Sequence, residues 1–286
     1  VASGTAVGTI VDQFSLDEHE GFLRVAANMS EQIEDGWWGQ RVNSNHVQVM
    51  REFNGALEVI GSTGELSANE RIQSSRFMGK KGYVVTFRQT DPFFTLDLSD
   101  PAHPRKVGEL KIPGFSTYIH PIDENNLLAI GEHRNEDGGW SGRALKLTLF
   151  DVSDFANPKE KFTQIIGTSS SYSEAAWDHR AFNYFAEKKL LAIPYTDYSY
   201  QWSDGDFWGH FVSELRGFSI DLDTGITAKR AVSMADCFKD SGRTQWSYWW
   251  TPYIRRSVMA DDYVYAVTDA GIRVAGIGSL STPIAT

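Results

Sequence analysis

The chain of 286 residues carries a formal net charge of -10 and a pI near 5.2, a balance that repels phosphate backbones and argues against nucleic acid as a partner. Its hydrophobic share of 41% and charged share of 22% are those of a globular protein, and no apolar run approaches the ~20 residues of a membrane-crossing helix. One cysteine, Cys237, excludes an internal disulfide and reads as a small half-buried side chain.

The chain opens Val1-Ala2-Ser3-Gly4 rather than with Met, the expected look of a processed or truncated product whose targeting segment was removed. Ala6 to Ile10 then leads into a repeating unit. A strand (Val11 to Leu16) and a polar turn precede an apolar strand at Glu20-Gly21-Phe22-Leu23, and a long loop is expected at about Asn28 to Asn45. The second unit has Ser74 to Met78, then Lys81-Gly82-Tyr83-Val84, a short loop at Gln89 to Pro92, the run Phe93 to Leu96, and the turn Asp97-Leu98-Ser99-Asp100-Pro101-Ala102-His103-Pro104 before Lys106 to Ile112. The third repeats it with Thr117 to Ile122, Asn125-Asn126-Leu127-Leu128, a loop at His133 to Gly142, Leu145 to Phe150, and Asp151-Val152-Ser153-Asp154-Phe155-Ala156-Asn157-Pro158 before Lys161 to Ile166. Asp and Ser start such turns by bonding their own backbone, and Pro fixes the exit. The fourth unit runs from Ala181 to Asp221-Leu222-Asp223-Thr224-Gly225, with a loop at Asp197 to Val212. The fifth runs from Tyr253 to Gly278-Ser279-Leu280-Ser281-Thr282-Pro283.

Four short strands per repeat, with no convincing amphipathic helix, predict an all-β chain: a β-propeller of four-stranded antiparallel blades, five in view, spanning 1–286 as one domain. Ser281 to Thr286 stops where a last strand should begin. Val1 to Val7 is expected to supply it in a closed five-bladed ring; alternatively the five blades belong to a larger ring.

Several stretches carry a family resemblance. Asp12-Gln13-Phe14-Ser15-Leu16-Asp17-Glu18, Arg76-Phe77-Met78-Gly79, Gly82 to Pro92, Gly108 to Ser116, Ser173 to Phe182 and Trp250 to Val258 resemble secreted bacterial and archaeal proteins with a C-terminal β-propeller domain distantly related to WD40 repeats. The resemblance implies a secreted or cell-surface (extracellular or periplasmic) protein. It implies no agreed catalytic residues. It also implies that this region is the C-terminal portion of a longer precursor, completed by an N-terminal fragment or partner chain.

Three long loops share a pattern: Glu34-Asp35-Gly36-Trp37-Trp38-Gly39, Glu136-Asp137-Gly138-Gly139-Trp140 and Ser203-Asp204-Gly205-Asp206-Phe207-Trp208. Together with Trp202, Trp249 and Trp250 they predict one acidic, Trp-rich loop face, since an indole offers large area, low entropy loss and an N–H donor. A protein, glycan or cation is the expected ligand of Trp37, Trp38, Trp140, Trp202, Trp208, Trp249 and Trp250. Asp197, Asp204 and Asp206 are the best oxygen donors for Ca²⁺, without the spacing of an EF-hand. Arg76, His120, His179 and Arg255 fall on or near inner strands and are expected beside a central channel. No nucleophile elbow, phosphate loop or dinucleotide fingerprint occurs. The favoured reading is therefore a non-catalytic extracellular binding module. A secreted hydrolase or lyase with carboxylates at the channel mouth, and a structural half of a cleaved or multi-chain assembly, stand as alternatives.

Overall fold

The computed structural model of the chain describes residues 1–32, 41–87, 91–134, 142–198, 211–236, 253–269 and 271–286. They form five four-stranded antiparallel sheets, each a meander with its strands in chain order. The first holds β1 (Leu16–His19), β2 (Phe22–Gln32), β3 (Arg41–Phe53) and β4 (Ala56–Ser62). The second holds β5 (Arg71–Met78), β6 (Lys81–Phe87), β7 (Asp91–Asp97) and β8 (Arg105–Ile112). The third holds β9 (Phe115–Pro121), β10 (Asn126–His133), β11 (Ala144–Asp151) and β12 (Lys159–Ile166). The fourth holds β13 (Asn183–Phe185), β14 (Leu190–Tyr198), β15 (Phe211–Asp221) and β16 (Gly225–Ser233), and the fifth β17 (Ile254–Ala260), β18 (Tyr263–Thr268), β19 (Gly271–Gly276) and β20 (Pro283–Ala285).

The predicted all-β repeat of four strands is what the structure contains, but three boundaries move. β1 starts where the predicted strand Val11 to Leu16 ends, because the Asp12 carboxylate accepts the Phe14 and Ser15 N–H groups and winds Gln13–Ser15 into a 3-10 turn. β2 and β3 continue into the expected loop 28–45, pairing from Phe22↔Arg51 out to Gln32↔Arg41. The fifth sheet has its own fourth strand, β20, paired with β19, so Val1 to Val7 is not needed to supply one. That segment instead meets the first sheet, where Ser3 bridges Ala56 and Thr9 bridges Asn28.

Two compact units divide the chain: Val1–Gly138 with Phe150–Lys161, and Gly139–Leu149 with Phe162–Thr286. Sheets one and two lie in the first, sheets four and five in the second, and the strands of the third are divided between them. Within unit one, Ala26, Val47, Ile72, Phe77, Val84, Phe94 and Leu96 form one buried cluster, and Tyr83, Phe93, Ile119, Leu127 and Phe150 form another. Within unit two, Ala192, Leu215, Val232, Ile254, Val264, Ala266 and Ala275 do the same. Each cluster draws alternate residues from successive strands, the period-two pattern of faces packed on one another.

The repeated Asp turns explain how successive sheets of unit one engage. Asp97 Oδ1 accepts the Ser99 N–H at 3.0 Å and the Ser99 hydroxyl at 2.6 Å, and Asp151 Oδ1 does the same for Ser153 at 2.9 and 2.6 Å. The turns then press on glycines of the preceding sheet. A Cβ at Gly61 would stand 2.3 Å from the Pro101 carbonyl, and one at Gly108 would stand 2.7 Å from the Ala156 carbonyl. Only glycine permits that approach. First strands are laced by side chains to backbone: the Ser75 hydroxyl to the Phe14 carbonyl at 3.2 Å, the Ser74 hydroxyl to the Ser116 carbonyl at 2.7 Å, and Arg76 to the Ile119 carbonyl at 2.7 and 2.9 Å.

Candidate functional site

Two clusters of side chains collect the chemistry of the described residues, one in each unit. In unit one, Arg76 on β5 lies over the ring of Phe14, 4.0 Å from its centre, and 5.3 Å from that of Tyr118 on β9. Burial lowers the Arg76 pKa, while Tyr118 and Asp12 act the other way. The Tyr118 hydroxyl stands 3.4 Å from His120 Nδ1. Burial, and then the positive charge of Arg76, push His120 down to about 4, so its imidazole is neutral at pH 7. The structure therefore brings together two of the four residues expected at a channel, Arg76 and His120, through Tyr118. Phe14 and Tyr118 were not singled out in the sequence; for Tyr118 the available signal was its place two residues from His120 on the same strand.

In unit two, a cavity of about 330 Å³ is lined by Tyr172, Glu174, Tyr195, Thr196, Tyr253 and Arg255, with Pro194 and Ile254 completing it. Its frame is set by backbone. Tyr172 and Thr196 exchange reciprocal N–H···O bonds of 2.8 and 2.9 Å, which fasten the segment before the fourth sheet to β14. Ser173 caps a 3-10 turn at Glu174–Ala176 and donates its hydroxyl to the Pro194 carbonyl at 2.6 Å. The Tyr172 hydroxyl donates to Glu174 Oε2 at 3.3 Å. Burial raises the Tyr172 pKa, and Glu174 adds to the rise. Arg255 reaches Glu174 at 3.8 Å and Asp269 at 3.3 Å, and its guanidinium stands 5.7 Å from the Tyr253 ring centre. Of these residues sequence reasoning named only Arg255. The others come from three separate stretches, and no local spacing joins them.

His179 lies not on a strand but in the 3-10 turn His179–Ala181, capped by Asp178, with its Nδ1 3.9 Å from that carboxylate. Asp178 also pairs with Arg180 at 3.1 Å and with Arg256; these bonds, Arg180 foremost, hold its carboxyl at about 2. Asp197 was expected in a loop but ends up on β14, 9% exposed. Its Oδ1 accepts the Thr168 hydroxyl at 2.6 Å and the Tyr198 N–H at 2.7 Å, and its Oδ2 accepts the Thr168 N–H at 3.0 Å and the Tyr195 hydroxyl at 2.7 Å. Burial alone would push this carboxyl up; the four hydrogen bonds outweigh it and keep it below the usual carboxylate range. Both oxygens are thus engaged in holding the strand end. Among the described residues no group of three or more His, Cys, Asp or Glu is placed to hold a metal ion. Asp204, Asp206, Trp37, Trp38, Trp140, Trp202, Trp208, Trp249 and Trp250 lie outside the described residues. Trp177, which lies within them, is 67% exposed.

Two curated archaeal relatives share this sequence. An uncharacterized protein of Archaeoglobus fulgidus is 42% identical over 200 residues, covering 69% of this chain and 28% of its own length. An uncharacterized protein of Methanocaldococcus jannaschii is 36% identical over 200 residues, covering 70% of this chain and 29% of its own length. The match thus spans less than a third of either relative. Among solved structures, the hydrazine synthase of Kuenenia stuttgartiensis superposes with a TM-score of 0.49 at 13% identity, over 91% of this chain and 62% of its own. The beta propeller domain family matches residues 1–280, and the chain belongs to that family.

Proposed function

We propose that this chain is a section of a larger, exported, non-catalytic propeller that works by binding. The single observation that carries the reading is the apolar face of the first sheet. On that face Leu23, Val25, Ala27 and Met50 point away from the cluster built on Ala26 and Val47. Residues 1–11 run across it, held where Gln48 exchanges bonds of 2.9 and 3.1 Å with the Val7 backbone. The cover carries no charged side chain. Val7, Ile10, Val11 and Leu16 are 42–54% exposed, beside a groove of about 470 Å³ lined by Ala6, Ile10, Leu16, Leu23, Met50 and Leu57. In unit two, Val258, Tyr263 and Ile272 of the fifth sheet are 43–52% exposed on the face opposite Val264, Ala266 and Ala275. Exposed apolar side chains beside an apolar groove, as over the first sheet, are the kind of surface that an interaction site uses.

The proposed occupant of the first-sheet face is another four-stranded blade of the same protein, encoded N-terminal to this region. Residues 1–11 already cover Val25, Ala27 and Met50, which are 1–3% exposed, so the further blade would dock on that cover and on Leu16, and the relatives carry well over twice the matched length outside the matched stretch. Export rests on the sequence resemblance. The Trp-rich acidic loops and the cavity of unit two supply the surfaces for a protein, glycan or cation. Co-expression of this chain with the polypeptide that precedes it in the full-length protein, made as a separate chain, tests the docking. A one-to-one complex that Leu16→Glu and Ile10→Glu abolish is expected. Absence of a complex, or a homodimer through the same face, would overturn it.

A further inference from the structure

We infer that the cavity of unit two is a subsite for a neutral saccharide. This deepens the binding reading above but does not depend on docking at the first sheet. The volume, about 330 Å³, lies at the small end of the ligand-pocket range of ~300–1,000 Å³ and suits a mono- or disaccharide. Its walls are mixed in the way a sugar ring requires. Tyr172, 44% exposed, and Tyr253 line it with aromatic rings of the kind that meet the apolar C–H face of a pyranose. Glu174 accepts hydroxyl protons, Arg255 donates, and the Tyr172 hydroxyl, whose own proton goes to Glu174 at 3.3 Å, accepts.

The charge pattern selects neutral over ionic ligands. Arg255 is partnered at 3.8 and 3.3 Å by two carboxylates, Glu174 and Asp269. An anionic sugar would compete with those carboxylates for the guanidinium, and a cationic one would meet Arg255 itself. A polyhydroxylated neutral ring gives and accepts hydrogen bonds without breaking either pair. The site is also preorganised, because β14 supplies Pro194 to Thr196, β17 supplies Ile254 and Arg255, and reciprocal backbone bonds fix Tyr172 on β14.

Isothermal titration of the purified chain with glucose, galactose, mannose, N-acetylglucosamine and their disaccharides, beside glucuronate and glucosamine, tests this. A dissociation constant on the order of 1 mM for at least one neutral sugar is expected, a typical free energy for a site of a few contacts. Tyr172→Ala should weaken it about tenfold, Glu174→Gln several-fold, and Tyr172→Phe, which keeps the ring, by less than Tyr172→Ala. Thermal unfolding of each variant confirms folding, and Tyr172→Phe remains informative if the alanine variant is unstable. No heat with any neutral sugar up to 50 times that constant, tighter binding of glucuronate or glucosamine, or equal binding by wild type and a folded Tyr172→Ala would each overturn the inference. A first-sheet complex that forms while these titrations stay silent refutes the saccharide and leaves the docking intact.

Discussion

The segment that leads into the first sheet and the one that leads into the fourth are built alike and surfaced differently. Each makes a reciprocal backbone bridge to the second strand of its sheet: Thr9 to Asn28 on β2, and Tyr172 to Thr196 on β14. Each then reaches an Asp, Asp12 or Asp178, whose carboxylate caps a 3-10 turn before the first strand. Around the first, residues 1–11 contain no charged side chain and border an apolar groove. Around the fourth, Tyr172, Glu174 and Arg255 border a polar, aromatic cavity. The backbone device is repeated, and the side chains decide whether its neighbourhood excludes water or recruits hydrogen bonds.

If the fourth segment depends on polar anchoring, its anchor should be the costliest to remove. Asp197→Ala is expected to lower stability by about 3 kcal/mol in urea unfolding, since it strands the buried Tyr195 hydroxyl and removes the acceptor of the Thr168 N–H and hydroxyl and of the Tyr198 N–H. A loss below 1 kcal/mol would show that the anchor is dispensable. Acid should have the next largest effect. His120 in unit one has a folded pKa of about 4, below its unfolded value near 6.5. The unfolded chain therefore binds a proton first, and stability falls as pH drops from about 6.5 towards 4, by on the order of 2 kcal/mol. His120→Gln should flatten that slope, leaving the smaller contribution of His46, whose pKa burial also lowers. Asp178 in unit two, like Asp97 in unit one, works in a lower window. Its depressed pKa of about 2 contributes stability above pH ~4 that disappears as pH falls through 2.

The first segment should respond more weakly. Asn28→Ala leaves the buried Ile72 N–H without its 2.7 Å acceptor, for an expected loss of about 2 kcal/mol in the same unfolding assay. Gln48→Leu removes the two bonds to Val7 while keeping an apolar face. Its cost should be about 1 kcal/mol, with faster amide hydrogen exchange at Thr9 and Asn28 and unchanged exchange on β14. Equal acceleration in both units would contradict the separation of the two neighbourhoods.

Strand order and repeat were legible in the sequence because the Asp-x-Ser-Asp turns and polar-then-apolar hairpins are local signals. Asp97 and Ser99, or Asp151 and Ser153, are two residues apart and need nothing distant to form. The strand at Val11 to Leu16 was misplaced because Asp12 looks like any loop acid until its carboxylate meets two N–H groups. Asp197 was read as a loop oxygen for the same reason: its burial depends on Thr168, 29 residues away. The cavity was illegible since Tyr172 and Thr196 meet through an isolated bridge and Tyr253 comes from just before β17, in another sheet. The last strand, Pro283–Ala285, is three residues long and carries a proline, too brief and irregular to show a period.

The central claim is that the apolar surface left exposed over the first sheet is covered by a further blade, and thiol labelling read at a cysteine placed on that surface tests it most directly. Leu16→Cys, with Cys237→Ser, would be made both in this chain and in the full-length protein. Leu16 is 42% exposed, so the account predicts rapid labelling in the chain alone and labelling slowed at least tenfold in the full-length protein. Equal rates in the two would contradict it.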